Sequence, residues 1–83
     1  MPCYCYLLEC GDGSFYCGWT NDLDKRLAAH QAGKGGRYTR AHLPVRLAYY
    51  EPCETRSEAM SRESVLKGMS HKAKKAMVAA FDG

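Results

Sequence analysis

Two short runs rich in Tyr, Leu and Cys, residues 3–10 and Phe15 to Thr20, are separated by Gly11-Asp12-Gly13. Aromatic residues in weak alternation suit a strand. The two glycines supply the positive φ that a tight turn demands. Residues 3–20 are therefore expected to form a β-hairpin. With 83 residues in all, the chain is expected to be a single domain spanning 1–83. A core that thin must be made by one sheet with a few helices packed on it.

The rest of the chain supplies those parts. Asn21 is placed to cap a helix, with Asp22 and Asp24 in its first turn, where the helix dipole favours acids. That helix runs to about Gln31 and stops near Gly33. Gly33-Lys34-Gly35-Gly36 reads as a flexible basic loop, continuing through Arg37-Tyr38-Thr39-Arg40 to Pro44. Val45 to Tyr50 is apolar and aromatic enough for a third strand. Thr55-Arg56-Ser57-Glu58 fits a capping box, with a helix following to about Gly68. Ser70 caps a last helix from His71 to about Phe81, carrying Lys72, Lys74 and Lys75. The order β-β-α-β-α-α predicts an α+β fold, a small three-stranded antiparallel sheet flanked by helices.

Charge is unevenly spread. The net charge is +3, yet residues 25–50 hold Lys25, Arg26, Lys34, Arg37, Arg40 and Arg46 with no acid, whereas residues 1–24 hold only acids. Such a basic segment suits a phosphate-facing surface, and equally a solvated loop. Five cysteines, Cys3, Cys5, Cys10, Cys17 and Cys53, form no C-x-x-C spacing and are odd in number. They are expected as reduced, small apolar side chains. No run approaches the roughly 18 apolar residues of a membrane span. Residues 1–6 lack the basic region of a secretory signal, so no membrane association and a cytoplasmic location are expected.

Three features are out of place for a plain core. Glu63 lies on its helix four residues after Ala59, three after Met60 and three before Leu66, which puts an acid on the apolar stripe. It must be paired, with Arg62, Lys67 or Arg26, or ligate a metal, because an unpaired buried charge is costly. Arg26 and His30, spaced i and i+4, share a face that borders Leu23. Tyr6 and Tyr16 sit on the two arms of the hairpin and bring two phenols together if the register lets them share a face.

Taken in order, these residues resemble the GIY-YIG nucleases. Tyr4-Cys5-Tyr6 and Tyr16-Cys17-Gly18 match the paired strand motif, followed by Arg26, His30 and, on a later helix, Glu63. The small stand-alone bacterial members share segments like Tyr16 to Thr20, Arg26 to His30, Gly33 to Gly35 and Ser57 to Ala59. The chain is also similar to the nuclease subunit that cuts branched DNA in eukaryotes. It departs from the family name at Tyr4, where Gly is usual. Trp19 stands where a related excision-repair domain has Lys.

The resemblance implies a divalent-metal-dependent endonuclease that hydrolyses phosphodiester bonds in nucleic acid, with DNA the expected substrate. It would leave a 5′-phosphate and a 3′-hydroxyl. Glu63 would hold one Mg²⁺ or Mn²⁺ ion. Tyr16 or Tyr6 would take the proton from the attacking water. Arg26 would clamp the scissile phosphate, and His30 would position the water or a phosphate oxygen. Lys34, Arg37 and Arg40 would contact the backbone phosphates. The alternative is a nucleic-acid-binding module of the same fold with little turnover. An acid retained beside a phosphate site favours the enzyme, since it would repel substrate in a pure binder.

Overall fold

In a computed structural model of the protein, residues 2–81 are described. The chain forms β1 (Cys3–Glu9), β2 (Phe15–Thr20), α1 (Leu23–Gln31), α2 (Arg37–Ala41), β3 (Arg46–Cys53), α3 (Arg56–Lys67) and α4 (His71–Ala80). The strands make one antiparallel sheet in the order β2-β1-β3. This is the expected α+β architecture, with one further short helix.

The strand alternation sorts side chains onto two faces. Cys3, Cys5 and Leu7 of β1 join Cys17 and Cys53 on one face, where Ala59 and Leu66 of α3 close over them and Met77 and Val78 of α4 pack alongside. Tyr6 and Leu8 point the other way, into a cluster with Cys10 and Val45 against which Leu23 and Leu27 of α1 pack. Thus α3 and α4 cover one face, and α1 covers the other. All five cysteines are free and buried, as small apolar side chains. Burial pushes the Cys5 thiol up to about 12 and the Cys17 thiol up to about 11.

Local details differ from the sequence expectation in four places. The cap of α1 is Asp22 rather than Asn21: the Asp22 carboxylate accepts from the Lys25 amide at 3.1 Å. Thr20 Oγ1 in turn accepts from the Asp22 amide, which delays the helix start by a residue. The basic loop contains α2, a single helical turn entered from Gly36 without a side-chain cap. So short a helix gives no periodic signal. The third strand starts at Arg46 and runs on through Pro52 to Cys53. Strand β3 is a sheet edge, where a proline's missing N–H costs no ladder bond. Finally, Met60 is 49% exposed, so the buried stripe of α3 is Ala59 and Leu66 alone.

The other two caps are as the sequence expects. Thr55 Oγ1 accepts from the Glu58 amide, and Ser70 Oγ accepts from the Ala73 amide. Helix α3 is also tied to the sheet by a charged fork. Arg62 Nε and Nη2 donate to the two Glu51 carboxylate oxygens of β3 at 2.6 and 3.4 Å, and the Tyr49 hydroxyl donates to the same carboxylate at 2.8 Å. This bidentate pair fixes the rotation of α3 one residue before Glu63.

Candidate active site

The hairpin register decides where the phenols lie. Tyr6 is opposite Gly18 and Leu8 is opposite Tyr16, so Tyr6 and Tyr16 are diagonal neighbours on one face. Gly18 is small for a reason: a Cβ there would lie 2.5 Å from the Tyr6 hydroxyl oxygen. His30, near the end of α1, comes down onto both rings. Its ring centroid is 6.1 Å from that of Tyr6 and 5.2 Å from that of Tyr16.

His30 is fully buried, and both of its nitrogens are engaged. Nε2 is 3.2 Å from the Tyr6 hydroxyl, and Nδ1 is 2.8 Å from Thr39 Oγ1. Thr39, also fully buried, donates from its hydroxyl to the Gly36 carbonyl at 3.4 Å. Gly35 passes directly over the imidazole, and a Cβ there would come within 2.3 Å of Nδ1. Burial, and then the nearby Arg26 charge, hold the His30 pKa below its ordinary value, so the imidazole is neutral at pH 7. Both nitrogens thus face protein partners, with the Tyr6 hydroxyl on one side of the ring and Thr39 on the other.

Tyr6 is buried as well. Its phenol is raised well above the usual value near 10 by burial and by the neighbouring Tyr16. The Arg26 charge works in the opposite direction, and Glu63 raises the phenol further. Tyr16 is half-buried, and its ring stacks at 6.1 Å on Tyr38 of α2. Tyr16 is therefore the more accessible of the two phenols.

Arg26 and Glu63 approach this cluster from different layers. Arg26 is exposed on α1, one turn before His30, and makes no ion pair with a described residue. Glu63 is half-buried on α3, on the other side of the sheet, with its carbonyl 3.6 Å from the Cys17 thiol of β2. Strand β2 is an outer strand, so the two layers can meet at its free edge. Both charges act on the Tyr6 phenol. The ion partner of Glu63 is Lys67, at 3.6 Å, with a Lys side chain 61% exposed. Of the alternatives that spacing left open, Arg62 is committed to Glu51, and Arg26 is not paired with Glu63.

The basic residues divide by position. Lys34, Arg37 and Arg40 are all exposed, the last two on α2. Arg46 is drawn off into a pair with Glu9 on the neighbouring strand. Sequence reasoning missed a shallow groove of about 260 Å³ beside Tyr16, rimmed by Lys67 and Lys74 and floored by Phe15, Cys17 and Tyr38. It also missed Thr39, which lay in a segment read as loop. A threonine between two arginines carries no sign of burial until the helix around it is seen.

Could these residues hold a metal ion? No group of three or more His, Cys, Asp or Glu comes together among the described residues. A closed multi-ligand cage is thus absent there. What they offer is one partly exposed carboxylate, a donor suited to an ion such as Mg²⁺ that keeps most of its waters and takes the rest of its ligands from substrate phosphate.

Paired tyrosines on a hairpin, an arginine and a histidine one turn apart on the following helix, and a lone glutamate on a helix across the sheet define a nuclease-type domain. Residues 2–76 match the GIY-YIG catalytic domain, and the chain belongs to the GIY-YIG family. It is 52% identical over 75 residues to a UPF0213 protein of Streptococcus sanguinis, covering 90% of this chain and 86% of the relative. A UPF0213 protein of Bacillus pumilus is 52% identical over 71 residues, covering 86% and 72%. Two solution NMR structures are similar in fold. The UPF0213 protein BH0048 of Bacillus halodurans has a TM-score of 0.62 at 41% identity, covering 100% of this chain and 88% of that one. The protein EF2693 of E. faecalis has a TM-score of 0.63 at 40% identity, covering 98% and 86%.

Proposed function

We propose that this protein is an endonuclease that hydrolyses phosphodiester bonds in DNA with one divalent metal ion, leaving a 5′-phosphate and a 3′-hydroxyl. The observation that carries the reading is the cluster of Tyr6, Tyr16 and the buried His30 on one face of the hairpin, with Arg26 one turn before His30 on α1 and Glu63 on α3 behind β2. A purely structural pair would join the two charges; here Glu63 is paired instead with the largely exposed Lys67.

Glu63 is the residue that would hold Mg²⁺ or Mn²⁺. When bound, the ion supplies Lewis-acid neutralisation of the phosphoryl oxygens and of the leaving 3′-oxygen. Arg26, exposed and without an ion partner among the described residues, would take two phosphate oxygens with its planar fork. Tyr16, accessible and next to the groove, would act as its phenolate, taking a proton from the attacking water as the water oxygen bonds to phosphorus and the bond to the 3′-oxygen breaks, with the departing 3′-oxygen taking up a proton from solvent. Tyr6 and His30 are sealed from solvent and hold the floor on which Tyr16 rests. Lys34, Arg37 and Arg40 contact backbone phosphates away from the cut.

The test is cleavage of duplex, flap, junction and single-stranded DNA, and of matched RNA, with Mg²⁺, Mn²⁺ or chelator. Wild type should cut at least one substrate with metal and none with chelator. Tyr16→Phe should cut it about 10²- to 10⁴-fold more slowly, the usual cost of losing a general base. Binding without cleavage of any substrate would replace this reading with that of a nucleic-acid-binding module of the same fold.

A further inference from the structure

The buried chain behind Tyr16 has one arrangement of protons that satisfies every donor. Four groups lie in a row: the Tyr6 hydroxyl, His30 Nε2, His30 Nδ1 and the Thr39 hydroxyl, with the Gly36 carbonyl beyond. The Gly36 carbonyl can only accept. If Thr39 donates to it, the Thr39 oxygen is left to accept from His30, which puts the imidazole proton on Nδ1. Nε2 is then an acceptor, and the Tyr6 hydroxyl donates to it. Three donors meet three acceptors, and no buried side-chain polar atom among the described residues is left without a partner. In the other tautomer Thr39 donates to Nδ1, and Nε2–H donates to Tyr6. The Tyr6 proton then has no acceptor among the described residues, inside a site where Tyr6 is 3% exposed. A stranded buried donor is costly, and the hydrogen bond from Thr39 to the Gly36 carbonyl is lost with it.

We propose that Thr39 is a positioning residue that, anchored on the Gly36 carbonyl, holds His30 in the Nδ1–H tautomer and thereby fixes the Tyr6 hydroxyl as a donor to Nε2. Nothing in the sequence pattern of the family motifs selects Thr39; its role follows from the turn of helix α2, which carries it under the imidazole. The consequence is a division of labour between the phenols. Tyr6 keeps its proton and its rotamer, while Tyr16, whose ring packs on the same imidazole at 5.2 Å, is left as the phenol that exchanges protons with water. Gly35 completes the clamp, since its bare backbone above Nδ1 prevents the ring from tilting away from Thr39. The catalytic consequence rests on the nuclease reading, but the tautomer does not.

The experiment is long-range proton–nitrogen NMR correlation of the imidazole in the uniformly ¹⁵N-labelled full chain at pH 7.5, run beside the cleavage assay. In the wild type, His30 should show a protonated Nδ1 and an unprotonated Nε2. Thr39→Val keeps the shape of the side chain and removes the hydroxyl. It should move the ring to a mixed or Nε2–H population and lower cleavage by up to about 100-fold, the scale of a misplaced catalytic group. Thr39→Ser, which keeps the hydroxyl, should restore both the nitrogen pattern and the rate. Where Thr39→Val does not fold, Thr39→Ala is read in the same way. A wild-type spectrum with the proton on Nε2 overturns the proposal, and so does a folded Thr39→Val or Thr39→Ala with the wild-type nitrogen pattern. Wild type that cuts nothing while showing the Nδ1–H pattern sinks the nuclease reading and leaves the role of Thr39 at His30 standing.

Discussion

Replacing Glu63 with Gln separates a metal ligand from a structural acid, and the structure sets the size of the effect. The ion partner of Glu63 is Lys67, one turn later at 3.6 Å, and its side chain is 61% exposed. Exposed i,i+4 pairs on a helix contribute about 0.3–0.5 kcal/mol. Gln keeps the shape of the side chain, so packing around it is unchanged. In a domain of this size each kcal/mol moves the melting temperature by about 4–8 °C, so Glu63→Gln should melt within about 4 °C of wild type. Had Glu63 been the buried partner of Arg26, stranding that cation would cost on the order of 3–5 kcal/mol. That would be a fall of more than about 12 °C. Activity should behave in the opposite way. Loss of the carboxylate proposed to hold the ion should reduce metal-dependent cleavage by about 10²- to 10³-fold or more, the scale of removing a main electrostatic stabiliser. Binding through the basic segment should persist, since Glu63 attracts no phosphate. A thermal melt, a cleavage assay and a binding titration on one preparation decide the matter. A variant that melts far below wild type, or one that cuts at the normal rate, would refute the assignment.

Three further outcomes are expected. Gly35→Ala should lose about 1–3 kcal/mol by overpacking, because its Cβ would sit 2.3 Å from His30 Nδ1, whereas the Cβ of Gly36→Ala meets Tyr16 at an ordinary 3.9 Å; equal melting temperatures for the two variants would contradict the clamp. Replacing Lys34, Arg37 and Arg40 together with Ala should weaken DNA binding alike for all sequences and flatten the slope of log K against log salt by roughly 2–3, at about 0.7–0.9 per phosphate contact; unchanged affinity at low salt would move the footprint elsewhere, the Lys67–Lys74 groove being the next candidate. His30, whose pKa is lowered by burial and by Arg26 from 6.5, takes up its proton more readily in the unfolded chain, so its contribution to stability is present above about pH 6.5 and is lost as pH falls through the lower folded value. An NMR titration of the His30 ring should therefore give a midpoint below 6.5, and a midpoint above it would contradict the buried, neutral imidazole.

The sequence by itself determined what is local. Gly11-Asp12-Gly13 between two aromatic runs specifies the hairpin, and Thr55 and Ser70 specify two helix starts through bonds that span only three residues. The spacing of Tyr6, Tyr16, Arg26, His30 and Glu63 was enough to name a family and a candidate site. What the spacing could not carry was depth and partnership. His30 and Arg26 look equivalent on one helical face, yet one is fully buried and the other exposed, because only the tertiary packing shows that the sheet lies under the end of the helix. Glu63 could have paired with any of three cations until the Glu51 fork claimed Arg62 and left Lys67 within reach. Helix α2 has too few residues to announce itself. It carries Thr39 to His30 Nδ1, and a buried polar group in a low-dielectric interior needs such a partner. Local propensity and pattern act over one turn or one hairpin, whereas burial, ion partners and proton positions are set by which layers close over which, and that only the folded chain decides.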